Sequence, residues 1–453
     1  MNFEIFREYD IRGIAGKDMT EEDVINIGKA YGTLLQPHNN KKVIVGRDCR
    51  KTSDFYSELF IKGVISTGYN VIDIGICPTP VLYFSIYHLN KTNGGVMVTA
   101  SHNPPEHNGF KLMKGFESIH SQGLQELRQI IEKKDYATSK NKGKVEQVDV
   151  ITSYIKYIQE NISISKKIKI GVDAGNGTGG ITALPVLKAL GCEIHDIYCD
   201  MDGNFPNHSP DPSAEKNMTS LIKLVKEKNL DLGVGYDGDA DRIGIIDENG
   251  NFIYNDRLVI IFAREILSRK PGSTFISEVK CSKVMYDDIE KHGGRAIMWR
   301  TGHSLIKKKM KQENAELAGE MSGHMFFKDR YLGFDDALYA TCRLLEIIAS
   351  TGKSVSELIS DLPETYVTPE IRANCADNKK FKVVEKITKH FKKIYNVIDI
   401  DGMRVLYDDG WGLVRASNTQ PCLVLRFEAL TQNRLDQIKD EIKTVLEKII
   451  GEI

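Results

Sequence analysis

The sequence predicts three similar α/β domains with mixed, mostly parallel sheets, followed by a smaller C-terminal α+β domain. Three observations predict it. Short apolar runs alternate with helix-period runs along most of the chain, which implies strands joined by right-handed crossovers. That alternation passes through the same order three times, and each pass ends in a polar loop after its third strand. From about Pro369 the order changes to strands in succession and a closing helix. At 453 residues the chain is too long for one core. The expected domains are 1–150, 151–251, 252–367 and 368–453.

In the first unit, Lys42–Asp48 reads as a buried strand and Phe55–Ile65 as a helix with Phe55, Leu59, Phe60 and Val64 on one face. Asn70–Ile74 is a second strand, and Pro80 opens a helix through Leu89. The run Gly94–Val98 is the third strand and delivers Thr99-Ala100-Ser101-His102-Asn103-Pro104. Two prolines and Asn108-Gly109 stop regular structure there, so Ser101 sits on a tight loop among His102, His107 and Lys111. Before this unit, Phe6–Gly13 is too densely charged for a buried strand and reads as a turn.

The second unit has strands at Ile168–Asp173, Cys192–Ile197 and Leu230–Gly235, with helices at Ile181–Leu190 and Met218–Lys228. Its third strand delivers Asp237-Gly238-Asp239-Ala240-Asp241-Arg242. In the third unit the strands are Ser273–Ser277, Ala296–Trp299 and Ala315–Ala318, and the helices Lys283–Lys291 and His303–Asn314. It delivers Gly319-Glu320-Met321-Ser322-Gly323-His324. Such sheets bind ligands beyond the carboxyl ends of their strands, so three loops in one topological position imply a shared site.

The last domain reads as a basic helix Phe381–Phe391, strands Gly402–Tyr407 and Gly412–Ala416 around an Asp408-Asp409-Gly410 turn, a strand Leu423–Glu428 and a helix Leu435–Ile450. Its loop Arg415–Pro421 carries a guanidinium, hydroxyls and amides, the chemistry of a phosphate grip.

Lys+Arg 61 against Asp+Glu 62 gives a net charge of −1, which argues against a nucleic-acid partner. Local lysines and arginines must draw any anionic substrate. No apolar run reaches membrane-spanning length, and the first residues do not read as a signal peptide. The eight cysteines form no C-x-x-C pair, so free thiols in a reducing cytoplasm are expected.

Asp237, Asp239 and Asp241 alternate, which in an extended segment turns three carboxylates to one side. Such anions need a cation, and oxygen-only ligands favour Mg²⁺, Ca²⁺ or Mn²⁺. An EF-hand is excluded because Arg242 stands where its glycine must be. Gly175–Gly180 matches G-x-G-x-x-G, but a dehydrogenase would leave the acidic triplet without work, so a tight strand-to-helix turn is expected. On the third loop, Glu320 and Ser322 can grip sugar hydroxyls and His324 can move protons.

Together the four loops, in this order, resemble the α-D-phosphohexomutase superfamily, most closely its bacterial phosphomannomutase/phosphoglucomutase group. The resemblance covers nearly the whole chain; Ala240 departs from the glycine usual in the family. It implies four domains around a central cleft and a phosphoryl group carried by Ser101. Mg²⁺ would be held by Asp237, Asp239, Asp241 and an oxygen of phospho-Ser101, with Arg242 flanking the phosphate. Lys111 with Arg12, or His324, would assist proton transfer. Tyr9, Lys280, His303, Glu320, Ser322 and His324 would contact the sugar. Arg415, Ser417, Asn418 and Thr419 would hold the distal phosphate. The implied reaction interconverts hexose 1- and 6-phosphates of mannose or glucose through a hexose 1,6-bisphosphate. Phosphoglucosamine mutase is the alternative, disfavoured by Met321 where those enzymes tend to have Gln. A metal-dependent sugar-phosphate phosphatase is the alternative of another class.

Overall fold

The structure, a computed structural model, describes residues 1–36, 41–89, 92–417 and 421–451. They form four sheets. The first runs in the order Ile11–Ile14, His107–Lys114, Gly95–Val98, Lys42–Arg47, Asn70–Ile76, Val145–Gln147. The second runs Phe252–Ile253, Ile243–Ile246, Leu232–Tyr236, Lys169–Asp173, Glu193–Ile197. The third runs Arg295–Trp299, Thr274–Glu278, Leu317–Gly319, Met325–Phe327. Each has a parallel centre, as the alternation of strands and helices requires. The fourth, built around Met403–Tyr407, Gly410–Ala416 and Cys422–Ala429, is antiparallel.

Each polar loop turns directly into an antiparallel return strand. Gly95–Val98 pairs with His107–Lys114, Leu232–Tyr236 with Ile243–Ile246, and Leu317–Gly319 with Met325–Phe327. A loop anchored by strands at both ends is held far more tightly than one free at one end. Two sequence expectations fail here for one reason. Asn108-Gly109 lies inside a strand, and Ile11–Ile14 is an edge strand rather than part of a turn. Arg12 pairs with Gly109, and Lys111 with Met97 on the other side. The pairing of Ile11–Ile14 with His107–Lys114 overrides the local turn preference of both segments.

The helix Thr79–His88 is buried continuously from Thr79 to Ile86. Its run Pro80-Val81-Leu82-Tyr83-Phe84 is apolar on every face because the helix is packed between units. One core joins it to Tyr154, Tyr236, Phe262 and Phe334, so the first three units are fused rather than strung. Phe55, expected on the buried face of its helix, is 45% exposed; Tyr56, Leu59, Phe60 and Val64 form that face.

The helix Glu21–Leu34 is not among those the sequence reading expected. Thr20 caps it in a reciprocal box with Asp23. It crosses Ser53–Ser66 so closely that a Cβ on Gly63 would lie 2.2 Å from the Ile25 carbonyl oxygen. Gly63→Ala is therefore expected to cost about 1–3 kcal/mol, read as a lower urea midpoint with an unchanged slope.

Candidate functional site

The loop after Gly95–Val98 begins with Thr99, whose hydroxyl donates to Asp48 at 2.7 Å and accepts from the Ser101 amide at 2.8 Å. Ser101 has φ +53°, a left-handed conformation costing a non-glycine residue about 1–2 kcal/mol. Its hydroxyl donates to Asp237 Oδ2 at 2.7 Å. His102 Nδ1 lies 3.2 Å from Asp211, a residue the sequence reading did not single out. Burial, then the Arg242 charge, push the His102 imidazole down to about 4, so it is neutral. His107 Nδ1 lies 3.8 Å from Glu106.

The acidic loop is a turn, not the extended segment the spacing suggested. Ala240 has φ +55°, and its amide donates to the Asp237 carbonyl at 3.0 Å. The carboxylates converge all the same: one oxygen from each of Asp237, Asp239 and Asp241 lies within 4.8 Å of the others. All three side chains are fully buried. Asp237 Oδ1 accepts from the amides of Asp241 and Arg242 at 3.0 and 3.1 Å. Asp239 Oδ2 accepts from the Thr79 hydroxyl at 2.5 Å and from Lys111 Nζ at 2.6 Å, and Lys111 also donates to Asp241 Oδ2.

Burial, then its two acidic neighbours, push Asp237 well above the ordinary carboxylate range. Burial acts the same way on Asp239, but Lys111 overcomes it and holds Asp239 low. Burial disfavours the Lys111 ammonium, yet Asp239 and Asp241 outweigh it and raise its pKa. Even with Lys111 in place, Asp239 Oδ1 and Asp241 Oδ1 have no hydrogen-bond partner among the described residues. Buried acceptors left open beside other carboxylates fit a hard divalent cation.

The Gly175–Gly180 stretch is the expected strand-to-helix turn, with Asn176 at φ +58°. It also beds the acidic loop. A Cβ on Gly177 would lie 2.5 Å from the Gly238 carbonyl oxygen, and one on Gly238 would lie 2.5 Å from that of Ser101. Thr178 N–H donates to the Gly238 carbonyl at 3.0 Å.

On the third loop, His324 Nε2 accepts from Arg242 Nε at 3.0 Å, and His324 Nδ1 lies 3.0 Å from Asp335. His303 packs 5.4 Å from His324, ring to ring. Burial, then the Lys307 charge, hold the His303 imidazole well below its ordinary value. Glu320 Oε1 accepts from the Gly302 amide at 2.6 Å, and Ser322 donates to Glu320 Oε2 at 3.2 Å. Thr301 gathers the remainder. Its carbonyl accepts from Tyr9 at 2.6 Å, its hydroxyl donates to Glu278 at 3.0 Å, and its amide donates to Asp401 at 3.0 Å. Asp401 accepts from Arg415 Nε at 3.1 Å. Lys280 lies 3.3 Å from Glu370 and 3.7 Å from Glu278. Ser417 lies at the end of its strand, where its carbonyl accepts from Lys380 at 2.5 Å. Arg12 Nε is paired with Asp10 at 2.8 Å, and its Nη1 reaches the Ala100 carbonyl at 3.3 Å. Asn418 and Thr419 lie outside the described residues.

Four family models match the chain in order. Phosphoglucomutase/phosphomannomutase alpha/beta/alpha domains I, II and III match residues 4–138, 152–250 and 254–366, and the C-terminal domain matches 370–445. The chain belongs to the phosphoglucomutase/phosphomannomutase family. It is similar to a phosphomannomutase/phosphoglucomutase of Pseudomonas aeruginosa, 45% identical over 98% of this chain and 96% of that one. It is also similar to a phosphoglucomutase of Neisseria meningitidis, at 42% over 98% and 97%. A crystal structure of a phosphoglucomutase/phosphomannomutase family protein from Burkholderia thailandensis superposes with a TM-score of 0.92 at 39% identity, covering 98% of this chain and 97% of that one. The chain is thus an enzyme of the mutase type.

Within that family framework, sequence reasoning missed Thr79, Asp211, Glu278, Thr301, Asp335 and Asp401. Glu278 and Thr301 carried a signal, each standing two residues before a candidate, Lys280 and His303. Thr79, Asp211, Asp335 and Asp401 reach the site residues only through the fold. Because Gly177 and Gly238 meet backbone to backbone, Gly177→Ala is expected to weaken Mn²⁺ binding by about 1–3 kcal/mol, measured by calorimetry with far-UV dichroism unchanged.

Proposed function

We propose that the chain interconverts the 1- and 6-phosphates of mannose and glucose, with Ser101 carrying the phosphoryl group between them. One observation carries the reading. A buried hydroxyl donates to the first of three clustered carboxylates, and the other two, Asp239 and Asp241, each keep one oxygen open. The names of the relatives support mannose and glucose as the sugars.

Asp237, Asp239 and Asp241 would hold Mg²⁺, which would neutralise charge on the transferring phosphoryl group. Lys111 donates to one oxygen of Asp239 and one of Asp241, and the other oxygen of each is open to a cation. In the forward transfer the bond between phosphorus and Ser101 Oγ breaks as a bond to the sugar oxygen forms. Lys111 with Arg12 nearby, or His324, would assist proton transfer at the sugar hydroxyl, whose lost proton is balanced by the one that the departing Ser101 Oγ takes up. Arg242 steadies the charge on the phosphoryl oxygens. The resulting hexose 1,6-bisphosphate turns over, and its other phosphate returns to Ser101.

Glu320 and Ser322 would hold the sugar hydroxyls, with Tyr9, His303 and Lys280 completing the contacts. Arg415, Ser417, Asn418 and Thr419 would grip the phosphate that does not react. The domains acting together are those of residues 1–150, 151–251, 252–367 and 368–453. The partners are small hexose phosphates. Among the described residues no helix is long and apolar enough to cross a membrane.

Ser101→Ala is expected to lower mutase turnover by at least about a thousandfold, as for loss of a covalent carrier, and to leave no acid-stable phosphoserine in the mass spectrum. Activity near wild type would remove Ser101 from the mechanism. Chelation by EDTA is expected to abolish conversion of glucose 1-phosphate, and Mg²⁺ to restore it. Release of inorganic phosphate in place of the 6-phosphate would make the chain a phosphatase. Conversion of glucosamine 1-phosphate in preference to both hexoses would move the sugar assignment.

A further inference from the structure

Arg50 lies outside every polar loop considered above, yet its guanidinium is fully buried beneath the Ser101 loop. A guanidinium has five N–H groups, and all five are used here. Nη2 donates to the carbonyls of Ser101 at 2.8 Å and Asn103 at 2.6 Å. Nη1 donates to those of Pro104 at 2.6 Å and His107 at 3.1 Å. Nε donates to Asp48 Oδ2 at 3.1 Å, the oxygen that also accepts from Thr99. Asp48 Oδ1 accepts from the Ser53 hydroxyl at 2.5 Å, which fixes the carboxylate in turn. The loop is therefore wrapped around one cation through four carbonyls.

Two further contacts tie this arrangement to the second unit. The Phe205 ring lies 5.0 Å from the Arg50 guanidinium. The Ser101 carbonyl that accepts from Arg50 is the group against which Gly238 packs. Arg50 thus fixes the backbone of Ser101 from beneath while the acidic loop confines it from the other side. A left-handed serine is held only where its surroundings over-determine it, and four carbonyl bonds to one rigid planar group provide that.

We propose that Arg50 is a positioning residue for phosphoryl transfer: it holds the Ser101 loop in the shape that aims Oγ at the metal-binding carboxylates. This rests on the reading of Ser101 as phosphoryl carrier. Arg50 touches neither the hydroxyl nor the carboxylate cluster, so its loss alters aim without removing a reacting group. Lysine cannot replace it, because three donors on a single nitrogen cannot reach four carbonyls and a carboxylate.

The test compares Arg50→Ala and Arg50→Lys with wild type under saturating Mg²⁺. The alanine variant is expected to lose about a hundredfold in kcat with KM within about threefold, as for a misplaced reacting atom. Amide exchange across residues 99–109 should rise by about tenfold or more while residues 232–246 stay protected, as for local opening. Guanidinium chloride at non-denaturing concentration should restore at least about a tenth of the lost turnover to Arg50→Ala and do nothing for wild type. Arg50→Lys, which keeps the charge opposite Asp48, should retain fold and Mg²⁺ binding and still lose kcat; it carries the test if the alanine variant does not accumulate. A kcat within about threefold of wild type in Arg50→Lys overturns the proposal. So does a loss of turnover with unchanged exchange at 99–109, or one that matches a loss of Mg²⁺ binding. The exchange measurement needs no turnover, so it stands even if Ser101→Ala should prove active and the carrier reading fail.

Discussion

Three carboxylates buried within one turn cannot stand without positive charge beside them. Two like charges about 4 Å apart repel by roughly 4 kcal/mol at the effective dielectric of a protein site. Asp237, Asp239 and Asp241 are all fully buried and mutually within reach. The Lys111 ammonium, from the sheet of the first unit, meets that demand by bridging two of them. Thr79 adds its amide and hydroxyl to Asp239, and Ser101 adds its hydroxyl to Asp237. The joint between the first two units is thus built from buried polar groups of the candidate site.

A second polar chain runs to the other end of the site. Arg242 donates to His324, Glu320 accepts from Gly302, and Thr301 reaches Tyr9, Glu278 and Asp401. Asp401 then holds Arg415 in the last domain. That domain is seated by two buried arginines. Arg404 donates to the carbonyls of Val279 and Cys281, and Arg426 to that of Lys280. The Trp411 ring lies 3.8 Å from the Arg404 guanidinium, and Glu428 accepts from both Trp411 and Ser282. The backbone carrying Lys280 is therefore fixed by the domain that carries Arg415. A movement of the last domain would carry the backbone of Lys280 with it.

Much of this was legible because apolar periodicity survives wherever a strand or helix is buried on a definite face. All three polar loops, the acidic triplet and the parallel sheet centres follow from that pattern. What was not legible depends on contacts distant in sequence. Asn108-Gly109 carries a turn signal, and its pairing with Arg12 and Gly13 makes it a strand. Alternating aspartates suggest an extended segment, and only the packing of Gly177 against Gly238 shows why a turn is needed. Phe55 and Tyr56 are both large aromatic residues at a helix start, and Tyr56 is the buried one, its ring stacked on Phe110 and its hydroxyl donating to the Met19 carbonyl. Arg50, in the charged stretch Arg47-Asp48-Cys49-Arg50-Lys51, looks like surface until the loop folds over it.

The three loops share more than position. Each leaves a parallel strand, turns and returns antiparallel, and each contains a residue with positive φ: Ser101 at +53°, Ala240 at +55° and Gly323 at +99°. Glycine adopts such angles freely, whereas serine and alanine each give up about 1–2 kcal/mol. The costlier residues stand where the backbone is most constrained. Ser101 is held by Arg50 and Thr99, and Ala240 by the turn bond to Asp237. A kinked return loop repeated three times offers three places to mount different chemistry: a hydroxyl on the first, carboxylates on the second, an imidazole and a carboxylate on the third. Their convergence follows because the units share one core, so the ends of their central strands face a common space.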